Sequence, residues 1–503
     1  MTAELLVRIG GPVAAAGLAL MLLGRDRRLR LLGLGVWLVG MALFLPLLLP
    51  SERPVLLAGG AVAGAAVAAA LAYLFHLWPW ALAFLTLAAV PARLPITVGD
   101  VSANLLVPLY AVIGGATLLL AWTLWRDSPR SRELGVLCWP IALFIVWTGL
   151  SAIWSNDPRE TAVQLFFFIL PFPLLALALS RLPWSERALG WLGRLLVAMA
   201  LLFAVIGIWQ WVTRDVFWNP KVISGNAYAP FFRVNSVFWD PSMYGRFLVV
   251  TILLALVVLL FGVWRRFQWA IVALIGALWA GLLPSFSQSS FAALVAGVIA
   301  AAALAWRWRA LTAATVAATL LIPVGLAASI QRNEDWEVLA GGATGLDRAT
   351  GGRFELIRNG LRIAADHPVA GVGVGSFKQT YAERFKPPAR NREAASHNTP
   401  VTVVAETGVV GLGLFVWLLA AAGLVCLRGL RERPPTAQVA GVVAAVGLAA
   451  IFVHSLAYNA FFEDPLMWGL LALAALAADQ APTLHVGRDG LPEQREERGG
   501  DVT

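Results

Sequence analysis

The sequence predicts an all-α polytopic integral membrane protein of about 12–15 transmembrane helices, with a large, partly helical loop on the external side. Three observations carry that reading. The 503 residues are 59% hydrophobic and only 13% charged, about half the charge of an average soluble domain. Apolar runs long enough to cross a bilayer recur through most of the chain, and mean hydropathy is +0.76. Arginine is concentrated in every second connector. Together these exclude a water-soluble multidomain enzyme, a disordered chain and a disulfide scaffold. The net charge of +9 would point to nucleic acid in a soluble protein, but basic cytoplasmic loops account for it here. Cys138 and Cys426 both lie inside apolar runs, so neither a disulfide nor a thiolate metal site is expected. The start, MTAELLVRIGG, lacks a basic leader and a cleavage site, and no removable signal peptide is expected.

A span needs roughly 20 residues to cross a hydrocarbon core of about 30 Å. Such runs lie near 5–24, 31–50, 55–75, 104–125, 134–153, 162–180, 188–212, 243–264, 267–284, 288–306, 310–330, 401–427 and 437–457. Shorter ones lie near 77–91 and 464–479. Arg25, Arg27, Arg28 and Arg30 follow the first crossing; Arg126, Arg130 and Arg132 follow the fifth; Arg181 and Arg187 follow the seventh. The pattern returns at Arg265/Arg266, Arg307/Arg309 and Arg428/Arg431/Arg433. This alternation supports about 15 crossings, an external N-terminus and a cytoplasmic C-terminus. The pair near 55–91 could instead form a re-entrant hairpin. No internal repeat stands out, and Trp209, Trp211, Trp218 and Trp239 read as an interfacial belt.

Two longer connectors fall on the external side, near 213–241 and 331–399. The chain therefore divides into N-terminal spans (1–212), spans with the first external loop (213–330), the large external loop (331–399), C-terminal spans (400–479) and a polar tail (480–503). The tail is expected to be disordered and cytoplasmic. In the large loop ten basic side chains face eight acidic ones, too balanced for a polyanion-binding arm.

Individual arginines must therefore be judged singly. In GGRFELIRNGLRIAADHP (351–368), a helical turn of about 100° per residue puts Phe354, Ile357, Leu361 and Ala364 on one face. Glu355, Arg358 and Arg362 share another, at spacings suited to solvated ion pairs. Arg353 falls beside Ile357 and Ala364, on the side expected to pack toward the membrane domain. An arginine pointed there needs an anionic partner, whether a structural carboxylate or a bound anion. The next segment, GVGVGSF (371–377), reads as a tight turn, since it lacks the strand and helix of a dinucleotide loop.

Thr399-Pro400 fits a helix cap followed by a first-position proline. His397 then stands just before a membrane helix, where the positive dipole end favours the neutral imidazole. A neutral histidine suits a general base, although it also suits an ordinary loop hydrogen bond. Asn398 neighbours it, and Glu406 lies within the span, where a carboxylate is either functional or a structural hydrogen-bond acceptor. In FFRVNSVFWDPSMYGRF (231–247), Asp240-Pro241 repeats the Asp-Pro pattern of Asp157-Pro158 and Asp464-Pro465, so Asp240 reads first as a cap. Glu160 would complete a capping box with Asp157. Arg233, set among aromatics with no acid before Asp240, is a second candidate anion clamp, and Arg246 is an alternative or additional one.

Taken in order, four pieces resemble the O-antigen ligase and O-antigen polymerase family of bacterial envelope glycosyltransferases. They are RVNSVFWDPSMYG, then SFSQSSFAALVAG, then an arginine-led helix running into HPVAGVGVGSF, then HNTPVTVVAETGVVG with its HN and ExGxxG. They span roughly 230–425. One departure is that the family often has Ser-Arg where this chain has Ser289-Ser290.

The resemblance implies a GT-C-type, inverting, metal-independent transferase with no cofactor, acting in lipopolysaccharide or other polysaccharide biosynthesis. Its donor would be a glycan on undecaprenyl diphosphate at the outer face of the bacterial cytoplasmic (inner) membrane. Arg233 and Arg353 would hold the diphosphate and His397 would activate the acceptor hydroxyl, with Arg246, Glu406, Asn398 and Asp240 as lesser candidates. The HN–ExG loop favours a ligase, passing the glycan to lipid A core or another final carrier. A polymerase joining lipid-linked repeat units, a flippase of lipid-linked sugars, and a peptidoglycan polymerase relying on an external aspartate stay open. No nucleic-acid partner is expected.

Overall fold

The computed structural model describes residues 2–49, 54–98, 101–126, 133–217, 219–228, 232–262, 264–306, 353–387 and 396–481. The expected span near 310–330, loop residues 331–352 and 388–395, Trp218 and the tail from 482 lie outside these residues. Among the described residues, 12 helices are long and apolar enough to cross a membrane. The helical polytopic architecture read from the sequence is therefore what the chain adopts.

The order is α1 (Ala3–Leu23), α2 (Arg27–Leu48), α3 (Pro54–Leu77), α4 (Ala81–Ala89), β1 (Leu94–Val98), β2 (Val101–Leu105) and α5 (Val107–Trp125). Next come α6 (Cys138–Leu150), α7 (Pro158–Gln164), α8 (Pro171–Leu179), α9 (Glu186–Thr213), α10 (Pro220–Tyr228), α11 (Pro241–Leu260), α12 (Gln268–Leu282) and α13 (Gln288–Trp306). The loop supplies α14 (Arg353–Asp366) and α15 (Phe377–Phe385), followed by α16 (Thr399–Leu427), α17 (Pro435–Ser455) and α18 (Pro465–Ala478). The strands form one antiparallel hairpin with Val98 opposite Val101. Apolar periodicity gives no warning of it, though Gly99-Asp100 between β-branched residues is hairpin chemistry.

Contacts sort the connectors onto two ends. At one, Arg30 donates to the Glu133 carboxylate at 2.6 Å, and Arg181 pairs with the same oxygen. The arginine-rich connectors after the first, fifth and seventh crossings thus meet, as alternation requires. At the other end, Arg8 donates to the Ile153 carbonyl at 2.7 Å. The short segment after α3 joins the two ends. Trp80 donates to the Pro183 carbonyl at 3.1 Å and Arg93 to the Glu463 carbonyl at 3.3 Å. It therefore runs from one end to the other, although α4 itself has only nine helical residues.

Three local expectations shift. The buried face of α14 is Leu356, Asn359, Gly360, Ile363 and Ala364, so Phe354 and Leu361 (52% exposed) point outward. The reason is Gly360, which lets α14 lie against Val401 and Phe377; a Cβ there would stand 2.5 Å from Val401. Asp157 does cap α7 through the Glu160 amide at 3.0 Å, but the Glu160 side chain does not close the box. It pairs with Lys378 at 3.2 Å instead. Finally, Asn398 and not Thr399 caps α16, accepting from the Val401 amide at 3.0 Å. Pro400 then falls at the second helical position.

Removing one partner from a buried ion cluster leaves uncompensated charge. Glu133→Ala, which would strand Arg30 and Arg181, should destabilise the protein by about 3–5 kcal/mol, read as a lowered midpoint in a detergent thermal melt.

Candidate active site

The site is assembled by the loop that follows α14. Gly371, Gly373 and Gly375 all take positive φ (66°, 96° and 78°), which keeps the loop backbone free of β-carbons where it meets its neighbours. A Cβ at Gly371 would stand 2.3 Å from the Glu406 carbonyl carbon, and one at Gly373 would stand 2.4 Å from Ser155 Cα. The tight turn expected here is also a docking strip. α16 opens to receive it: Gly408 is non-helical, at φ 66° and ψ −169°. The helix carbonyls freed around that break all find partners. Val372 N–H donates to Ala405 O at 3.0 Å, Gly373 N–H to Glu406 O at 2.8 Å and Trp147 Nε1–H to Thr407 O at 2.8 Å.

On its other side the loop meets hydroxyls ahead of and within α7. Ser155 Oγ lies 2.6 Å from Thr161 Oγ1 and 2.7 Å from Ser376 Oγ, and Thr161 donates to the Val374 carbonyl at 2.6 Å. Glu406 accepts from the Phe377 amide at 3.1 Å at the start of α15. Its carboxylate thus orders the loop and belongs to a group apart from His397.

Arg233 is positioned by a rigid turn. Asn235 and Ser236 are fully buried; Ser236 N–H donates to Gln210 Oε1 at 2.7 Å, and Asn235 Nδ2 donates to the Phe238 carbonyl at 2.8 Å. The Arg-x-Asn-Ser pattern is therefore a fold device around the arginine. Asn226 brackets the Arg233 backbone with two hydrogen bonds, and Arg233 Nε donates to the Ser285 carbonyl at 3.1 Å. That leaves both terminal guanidinium nitrogens without a hydrogen-bond partner among the described residues.

Arg233 lies close enough to Arg353 and Asp240, and these two to His397, to act electrostatically. Burial, opposed by Asp240 and Tyr458, holds the Arg233 guanidinium below its ordinary basicity. Burial and then the positive charge of Arg233 do the same to Arg353, with Asp240 opposing. Burial and then Arg353 lower the His397 pKa, again against Asp240. The helix dipole leads to the same neutral imidazole, but desolvation and a neighbouring cation are the causes acting here. Neither Arg353 nor His397 makes a side-chain hydrogen bond or ion pair among the described residues. Asp240 does cap α11, through the Ser242 amide at 2.7 Å, and is also the carboxylate that both arginines and His397 feel.

Arg246 is otherwise engaged. It forms a buried ion pair with Asp464 at 2.8 Å, tying α11 to the start of α18. Asn398 caps α16 and reaches the Leu456 carbonyl at 2.9 Å. Several neighbours carry no local sequence signal. Tyr458 stands within the fields of Asp240 and Arg246. His454 Nε2 lies 3.1 Å from both Ser289 Oγ and the Ser242 carbonyl, so a histidine from α17 packs against the Ser289-Ser290 pair. Among the described residues no group of three or more His, Cys, Asp or Glu side chains is placed to hold a metal ion.

The model of the O-antigen ligase family matches residues 273–416. The resemblance seen in the sequence motifs holds. The matched stretch runs from within α12 to the middle of α16 and contains Arg353, His397, Asn398 and Glu406; Arg233, Asp240 and Arg246 precede it. Similarity to this family over that stretch supports an O-antigen ligase- or polymerase-like reading of the chain. No curated protein matches the chain significantly.

The break in α16 makes a sharp test. A methyl at Gly408 would stand 2.1 Å from the Val369 carbonyl oxygen, in a left-handed backbone. Gly408→Ala should cost more than about 1 kcal/mol, whereas Gly413→Ala, with open space at its Cβ position inside the helix, should leave the melting midpoint the same or raise it.

Proposed function

We propose that the protein is an O-antigen ligase-like glycosyltransferase of GT-C type. It moves a glycan from undecaprenyl diphosphate to a hydroxyl of lipid A core or another final carrier, at the outer face of the bacterial cytoplasmic membrane. Residues 331–399 serve as its catalytic loop on the external side. The observation that carries this reading is the grouping of Arg233, Arg353 and His397 within the field of the Asp240 carboxylate, with both terminal nitrogens of Arg233 free of hydrogen bonds among the described residues.

Two adjacent half-buried cations with one shared carboxylate form an electrostatic sink for a dianion. Arginine forks suit phosphate oxygens, and placed before the reaction they stabilise charge as it develops on the leaving group. The acceptor oxygen forms its bond to the anomeric carbon from the face opposite the diphosphate, so a single displacement inverts the configuration. The bond from that carbon to the phosphate oxygen breaks, and its electron pair stays on the diphosphate against Arg233 and Arg353. The acceptor proton passes to neutral His397. The arginines take the charge-neutralising part that a divalent cation plays in other transferases, which makes the reaction metal-independent.

The test uses the full chain in nanodiscs with a fluorescent lipid-linked glycan and candidate acceptors. His397→Ala should lower kcat about 10²–10⁴-fold, and Arg233→Ala and Arg353→Ala should each abolish most transfer while the thermal melt is kept. Chelator should leave the wild type unaffected. Loss of wild-type transfer in chelator, or full activity in His397→Ala, overturns the mechanism.

The pH profile gives a second check. A histidine with a lowered pKa stays neutral, and competent as a base, until the pH falls through that lowered value. The acid limb of kcat/KM should therefore lie below the usual imidazole value of about 6.5 and disappear in His397→Ala.

A further inference from the structure

Next to the cluster lies a cavity of about 90 Å³ that the diphosphate reading does not use. Its wall includes Ser396 and Thr399, which flank His397, but none of Arg233, Arg353 or Asp240. Glu160, Gln164, Lys378, Glu406, Asn459 and Glu463 supply its polar lining. The remaining wall includes Phe144 and Phe462, stacked with ring centroids 4.5 Å apart.

The charges in this wall are uneven. Lys378 is held by Glu160 at 3.2 Å; burial alone would lower its ammonium, but Glu160 keeps it above its ordinary value. Glu463 has Arg93 at 3.9 Å and a hydrogen bond from Gln164, and Glu406 is satisfied by a backbone amide. Three carboxyl groups thus face one already paired ammonium. Such a lining accepts hydrogen bonds from hydroxyls or an ammonium and offers an anion no unpaired cation, and the aromatic side chains beside it suit the apolar surface of a sugar ring. A diphosphate is unsuited to it.

We propose that this cavity is the acceptor-sugar pocket. It takes the edge of one terminal pyranose, neutral or amino-bearing, excludes a carboxylate-bearing sugar, and delivers the ring hydroxyl past Ser396 to His397. The proposal rests on the transferase reading for its role, but its ligand chemistry comes from the cavity itself. The volume is that of about three waters, which admits a ring edge and not an oligosaccharide.

The test separates the two. Saturation-transfer NMR would measure binding of a methyl hexoside, a methyl 2-amino-2-deoxyhexoside and a methyl hexuronide to the wild-type protein in nanodiscs, to Gln164→Leu and to Asn459→Ala. Undecaprenyl diphosphate binding and the thermal melt would report folding. Hexoside and aminohexoside should bind at least tenfold more tightly than uronide. Either folded variant should lose hexoside affinity, and raise the acceptor KM, at least tenfold with undecaprenyl diphosphate affinity unchanged. Equal binding of uronide needs no variant to detect and overturns the proposal, as do variants that keep wild-type hexoside affinity. If hexoside binding behaves as expected but no acceptor receives glycan, the transferase reading falls and the sugar pocket stands. If transfer proceeds and both variants keep the wild-type acceptor KM, the reverse holds.

Discussion

The site depends on a contact between two stretches of backbone. Residues 368–374 can reach the interior of α16 only because Gly371 and Gly373 present no side chain and because Gly408 breaks the helix opposite them. The break would leave buried carbonyls unsatisfied in an apolar region, at a cost of several kcal/mol each. The loop amides and Trp147 satisfy them, so the loop and the opened helix stabilise each other. Once that seam is closed, the rest follows. α14 carries Arg353 to Arg233, α15 brings Lys378 to Glu160, and the turn before α16 sets His397 at the rim.

Two kinds of electrostatics lie near that seam. Around Asp240 cations outnumber carboxylates; around Lys378 carboxyl groups outnumber cations. His397 belongs with the first, held neutral by burial and by its cationic neighbour. Helix caps do structural work at the same positions. Asp240 caps α11 with one oxygen, and Asp464 caps α18 through the Leu466 amide while balancing Arg246. A residue read from sequence as a cap is therefore not thereby removed from the electrostatics of the site.

What could be read in advance was local or compositional. The arginine alternation gave the sidedness that Arg30, Glu133 and Arg181 display, and each Asp-Pro pair marks a helix start through bonds that span two or three residues. The glycine run announced a turn because positive φ is a property of single residues. Legibility ended where partners are remote in sequence. Glu160 looked like half of a capping box, and only the fold brings Lys378, 218 positions away, to claim it. The face of α14 was misjudged because large apolar side chains were weighted above Gly360, whose missing side chain is what permits close packing. His454 at the end of α17, and Tyr458 and Asn459 in the connector after it, carry no motif of their own, and tertiary placement alone makes them neighbours of the site.

The single carboxylate between the arginines has a bearing on turnover. On the proposed reading, a discharged diphosphate is the most anionic species the enzyme meets, and two arginines alone would retain it strongly. Asp240, anchored by its bond to the Ser242 amide, cannot withdraw far. It remains as a resident competitor that weakens the grip on the spent carrier. The cap of α11 would then set how soon the carrier departs and the next donor can enter.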